Sequence, residues 1–260
     1  RINGLHRFPA DSHILVMDSF MLLTIGNGVL YAGNHFHAAL GFSHAGADAA
    51  NNFYWQDYLG SEDYVRIVVA AARKYYAENG GVKPLKLFIN DYNLESTWDN
   101  NQKAKSLVHW IEKWESDGVT KIDGIGTQMH VAYRANAADQ QKQEEHVVKM
   151  FEILAKSGKL VKVSELDMGY VDESGTTVLT KDMTEEQHKA MAEYYKFIVK
   201  KYFEIIPVAQ QYGITQWCAT DAPGAPGDSN WRGGEPVGLW DSNYNRKHTY
   251  AGFADGLAGK

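Results

Sequence analysis

The chain holds a single cysteine, Cys218, in 260 residues, so no intramolecular disulfide can form. No apolar run approaches the roughly 18 residues that a membrane-spanning helix requires. Lysine and glutamate are missing from residues 1 to 52, although both are common afterwards, and that segment carries five of the ten histidines. Basic charge is in deficit: the net charge of −6 argues against a nucleic-acid backbone as partner and favours a neutral ligand. No glycine-rich phosphate loop follows any candidate strand, which argues against nucleotide binding. His35 and His37 have metal-ligand spacing but lack a convincing third ligand, so neither a metal nor another cofactor is expected. Arg1 is followed by mixed polar residues rather than a secretory leader.

Aromatic residues are what the chain has in excess. Seven tryptophans and fifteen tyrosines supply flat apolar faces with polar tips, suited to sugar rings as well as to cores. Residues 1 to 52 read as an irregular segment, with short apolar runs at 13–17 and 28–32 that suit strands. From residue 53 the pattern becomes regular. Helices are expected over 62–78, 101–116, 139–156, 185–205 and 248–257. Ser61 opens the first, Thr184 and Gln187 form a capping box on the fourth, and glycines at 80, 118 and 158 close the first three. Strands are expected over 85–89, 122–131, 160–167 and 213–219. Four strand–helix units in succession imply a parallel sheet with right-handed crossovers. Each strand is apolar until its C-terminal end, where polar residues gather. That is the layout of an α/β (β/α)8 TIM barrel, here with its N-terminal half truncated or irregular. A doubly wound sheet is the rival architecture.

The strand ends carry the chemistry. Glu165 and Asp167, two apart, leave one strand on the same face. Gln128 and His130 do the same on the preceding strand. Asn90 and Tyr92 end the 85–89 strand, and Trp217 ends the last, with Trp231 and Arg232 in the loop beyond. Tryptophans that stack on sugar rings, amides and a guanidinium that bond hydroxyls, and a carboxylate able to attack an anomeric carbon form a set for carbohydrate chemistry.

Residues 53 to 257 resemble the family-10 glycoside hydrolases, the endo-1,4-β-xylanases. The resemblance rests on INDYN at 89–93, GIGTQMH at 124–130, SELDM at 164–168, GITQWCATD at 213–221 and the stretch from Trp231 to Phe253. It implies that residues 53–260 are the C-terminal part of a (β/α)8 barrel and that the reaction is retaining hydrolysis of internal bonds in xylan or xylo-oligosaccharides. It further implies Glu165 as nucleophile, His130 as the residue orienting it, and Asp167 as a supporting acid. Gln128 stands beside them, Trp217 and Trp231 line the glycone side, and Tyr92 lies toward the aglycone side. A secreted, periplasmic or cell-surface location follows from the same resemblance.

The chain departs from the family in one respect. The acid/base glutamate belongs to a Trp-Asp-x-x-Asn-Glu motif upstream of the INDYN strand, and residues 1–52 contain no glutamate. Retaining hydrolysis needs two carboxyl groups roughly 5 Å apart. The motifs therefore set an impaired xylanase against a non-catalytic xylan-binding protein derived from one.

Overall fold

The computed structural model describes residues 14–17, 20–24, 59–60, 63–82, 84–221 and 231–260. Of the strands expected in the N-terminal segment, 28–32 lies outside the described residues, as do His35, His37 and Ser61. The other is β1, Ile14–Met17, which pairs antiparallel with β2, Phe20–Thr24, a strand the composition did not suggest.

From β2 onward the sheet is parallel. β2 pairs with β3 (Lys86–Asp91), β3 with β4 (Gly124–Thr127), and β4 with the first residues of β6 (Leu160–Val171). β5 (His130–Arg134) pairs with the same edge of β6 further along, and β7 (Gln211–Gln216) with its other edge. The parallel strands thus sit side by side in sequence order. The helices of the regular part are α1 (Asp63–Glu78), α2 (Gln102–Glu115), α3 (Ala137–Lys156), α4 (Glu185–Ile205) and α5 (His248–Leu257). Right-handed crossovers between successive parallel neighbours place all helices on one face, whereas a doubly wound sheet needs a reversal of order. No such reversal occurs among the described strands.

Strand alternation divides the two faces. Leu87, Ile89, Ile125, Val161 and Val163 join the helices' Leu107, Trp114, Phe151 and Tyr202 in the main core. Phe88 faces the other way and packs with Leu160 and Tyr212. Glycine is required on this inner face. A Cβ on Gly124 would lie 2.1 Å from the Phe88 ring, and one on Gly126 would lie 2.3 Å from Asn90 Oδ1.

Local signals set the helix ends. Asn136 caps α3 by accepting from the backbone of Ala138 and Asp139, and Thr184 and Gln187 close a reciprocal capping box on α4. Pro207 follows Ile206, where α4 stops. α5 docks on α4 through a small-residue contact, for a Cβ on Gly252 would lie 2.0 Å from the Ala192 carbonyl oxygen.

One sequence expectation fails in a useful way. The run 122–131 is not a single strand. Met129 adopts φ 59°, a left-handed conformation that costs a non-glycine residue energy, and it separates β4 from β5. Across this break Thr127 pairs with Val163 but His130 pairs with Asp167, so three steps on one side face four on β6. The extra residue is a β-bulge, a device that re-aims side chains. Likewise β6 continues to Val171, and β7 stops before Trp217 instead of containing it.

Candidate active site

The bulge on β6 is what builds the site. Before it, Val161 and Val163 point to the helices; after it, Leu166 and Met168 do. Ser164 and Glu165 consequently both reach the same residue of β3. Ser164 Oγ donates to Asn90 Oδ1 at 2.6 Å, and Asn90 Nδ2 donates to Glu165 Oε1 at 3.0 Å. The hydroxyl fixes which end of the Asn90 amide faces the carboxylate. Asn90 and Glu165 are both buried, Glu165 at 7% exposure.

His130 lies between the two acids of β6. Its Nε2 is 3.4 Å from Glu165 Oε2 and its Nδ1 is 3.1 Å from Asp167 Oδ2. Burial alone would push the imidazole pKa down, but the Asp167 and Glu165 carboxylates outweigh it and hold the value at about 9. At neutral pH His130 is therefore a cation between two acids. Asp167, fully buried, also accepts from Arg232 Nη1 at 2.8 Å and from Trp231 Nε1.

Arg232 ties the loop to the sheet. Its Nη1 also donates to the Val131 carbonyl at 2.8 Å, and its Nη2 pairs with Glu235 at 2.9 Å. Gly169 leaves room for this pair, because a Cβ there would lie 1.9 Å from Glu235 Oε2. The Trp231 and His130 ring centroids are 4.9 Å apart, those of Trp217 and His130 6.0 Å, and those of the two indoles 6.1 Å. Trp217 is 50% and Trp231 40% exposed, so both indoles keep open surface beside the buried charges.

Thus Asn90, His130, Glu165, Asp167, Trp217, Trp231 and Arg232 are gathered at one end of the sheet. Gln128 sits at the β4–β5 break, half-buried, its backbone N–H donating to the Asp91 carbonyl at 2.9 Å. The described hydrogen bonds to Glu165 involve Asn90 rather than Gln128. Tyr92 is half-buried just past β3, and its carbonyl accepts from Lys103 Nζ at 2.6 Å. Asp221 also follows the last strand, but it is buried against Lys247 Nζ at 2.7 Å and serves to anchor the chain.

Sequence reasoning missed Ser164, Lys103 and Glu235. Strict alternation put Ser164 on the opposite face from Glu165, and only the bulge brings them together. Glu95 follows the end of β3. That residue is buried, its Oε2 has no hydrogen-bond partner among the described residues, and burial raises its pKa despite the opposing influence of Lys103 and His130.

A partial (β/α) barrel whose strand ends collect carboxylates and open indoles is the framework of a glycoside hydrolase. The family model for Glycosyl hydrolase family 10 matches residues 41–256, and the chain belongs to that family. The match opens at residue 41, earlier than the motif-bearing stretch from 53. The chain is 32% identical over 192 residues to endo-beta-1,4-xylanase Xyn10C of Cellvibrio japonicus, covering 66% of this chain and 28% of that protein. It is 28% identical over 175 residues to endo-1,4-beta-xylanase B of Humicola insolens, covering 66% and 44%. A solved structure of a mutant xylanase10C from Cellvibrio japonicus in complex with xylopentaose matches with a TM-score of 0.64 at 27% identity, covering 85% of this chain and 41% of that one. The chain therefore spans less than half the length of each of these relatives. The described strands and helices form part of a TIM barrel, the fold of this family. Among the described residues no helix is long and apolar enough to cross a membrane.

Proposed function

We propose that the chain carries the nucleophile side of a retaining endo-1,4-β-xylanase site. Glu165 attacks the anomeric carbon of a xylose unit and forms a glycosyl-enzyme. Asn90 and His130 orient its carboxylate, and Asp167 with Arg232 holds His130 in place. Trp217 and Trp231 offer platforms to the glycone sugars, and Tyr92 and Gln128 border the cleft on the other strands. The observation that carries this reading is the double hold on Glu165, by Asn90 Nδ2 at 3.0 Å and by His130 at 3.4 Å. Such a clamp fixes a nucleophile in a near-attack orientation. The family relatives, named as xylanases, supply the substrate class. The family resemblance, with polymeric xylan as substrate, supports a secreted, periplasmic or cell-surface place of action.

No proton donor is assigned among the described residues. Asp167 is already committed to His130, Arg232 and Trp231, and Glu235 to Arg232. This favours slow turnover on polymer, and it supports a second reading in which the site retains xylan without cleaving it. Reducing-sugar release from xylan, measured beside retention on insoluble xylan, separates the two. Glu165→Gln removes the covalent route and is expected to lower any hydrolysis by on the order of 10³-fold or more while retention survives. Near-normal hydrolysis by that variant would remove Glu165 from the nucleophile role.

A further inference from the structure

Lys103 is fully buried in the first turn of α2. A cation there is doubly disfavoured, by desolvation and by the positive end of the helix dipole. Its contacts show where the compensation comes from. Nζ donates to Asp91 Oδ1 at 2.8 Å and to the Tyr92 carbonyl at 2.6 Å, and it sits 3.9 Å from the centroid of the Tyr92 ring. Its own backbone N–H donates to Asp99 Oδ2 at 2.9 Å, so the turn that presents the ammonium is itself held. A buried ion pair rarely stabilises a fold more than an apolar isostere would, and its best-attested use is to specify geometry. Here the described hydrogen bonds and the ring contact of the ammonium all fall on the two residues that follow Asn90. Asp91 in turn bonds the β4–β5 break through its carbonyl, which accepts from Gln128 N at 2.9 Å.

We propose that Lys103 is a positioning residue of the substrate site. Its ammonium locks the Tyr92 ring as a sugar platform and holds the end of β3 that carries Asn90. The sugar-binding part rests on the xylan reading above; the locking of the ring does not. Single loss of the lysine would strand a buried carboxylate, so the informative variant is the neutral pair Asp91→Asn/Lys103→Met, made in the full chain.

Two readouts decide the matter. The first needs no ligand: aromatic NMR relaxation of Tyr92 should show an ordered ring in the parent and a mobile one in the pair, with Trp114 unchanged. The second is xylohexaose affinity by calorimetry in the Glu165→Gln background. Tyr92→Ala should weaken binding about tenfold in the parent and less than twofold when the pair is present. An equal loss from Tyr92→Ala in both backgrounds, or a Tyr92 ring as ordered in the pair as in the parent, overturns the proposal. If the parent binds no xylohexaose, the xylan reading fails and the ring signal alone decides Lys103. If the pair does not melt cooperatively, Asp91→Asn alone, which keeps the bond to the Tyr92 carbonyl, should give an intermediate ring mobility. An unchanged ring in that variant counts against the proposal.

Discussion

Asn90 and Glu165, 75 positions apart in the chain, are joined by one hydrogen bond of 3.0 Å between the amide of β3 and the carboxylate of β6. The bond depends on a residue that touches neither donor nor acceptor chemistry. Gly126, on the strand between them, has no Cβ to occupy the space taken by Asn90 Oδ1.

This yields a paired prediction. Asn90→Ala leaves Glu165 Oε1 without that donor and should reduce glycosylation by roughly 10- to 100-fold, in line with loss of a charge-assisted hydrogen bond. Gly126→Ala should reproduce most of that loss by displacing Asn90, although no catalytic group has changed. Ser164→Ala, which frees the amide to flip, should fall between wild type and Asn90→Ala. Single-turnover kinetics on an activated aryl xylobioside provide the comparison, and a fully active Gly126→Ala would contradict the packing argument.

His130 gives the protein a pH signature. Its folded pKa, about 9, lies above the unfolded value of 6.5, because Asp167 and Glu165 outweigh the effect of burial. A raised folded pKa means that the stabilisation is fully present below pH 6.5 and lost as pH rises through 9. The loss is on the order of 3 kcal/mol. Urea midpoints of wild type should fall across that window relative to those of His130→Asn. Parallel curves for the two proteins would show that the imidazolium is not held by the acids.

Away from the site, Thr184→Ala removes one half of the α4 capping box. It should cost about 1 kcal/mol of unfolding free energy and leave ligand retention unchanged. A chemical denaturation curve measures the first, and binding to insoluble xylan the second.

Much of this was legible in the sequence where the signal is local. Thr184, Gln187 and Pro207 bound α4, and the apolar stripe of Leu107, Val108, Ile111 and Trp114 marks α2. The parallel order follows from strand–helix alternation, and polar residues crowd the strand ends because charge is tolerated only where a strand leaves the core. What was not legible depends on contacts across strands. Nothing in Gln128-Met129-His130 announces a left-handed methionine, since no glycine marks the break. The resulting bulge, which aims Ser164 and Glu165 at the same amide, exists only once two strands are in register. Lys103 reads as a solvated helix residue until the fold sets Asp91 and Tyr92 around it. Trp217 reads as part of a strand because Ile214, Cys218 and Ala219 flank it in the run 213–219, but the irregular β6–β7 register ends β7 one residue earlier.

The proposal that is most open to test is that Glu165 acts as a nucleophile with no proton donor assigned to it among the described residues. An aryl β-xylobioside with an acidic phenol needs no protonation to leave, so glycosylation should proceed, and the glycosyl-enzyme should accumulate because no base activates water. The most direct measurement is the phenol burst in rapid mixing, with and without azide. The account predicts a burst near one equivalent per chain, a slow phase that azide accelerates, and a β-xylobiosyl azide of retained configuration. Rapid turnover of xylan with no azide effect, or no burst at all, would contradict it.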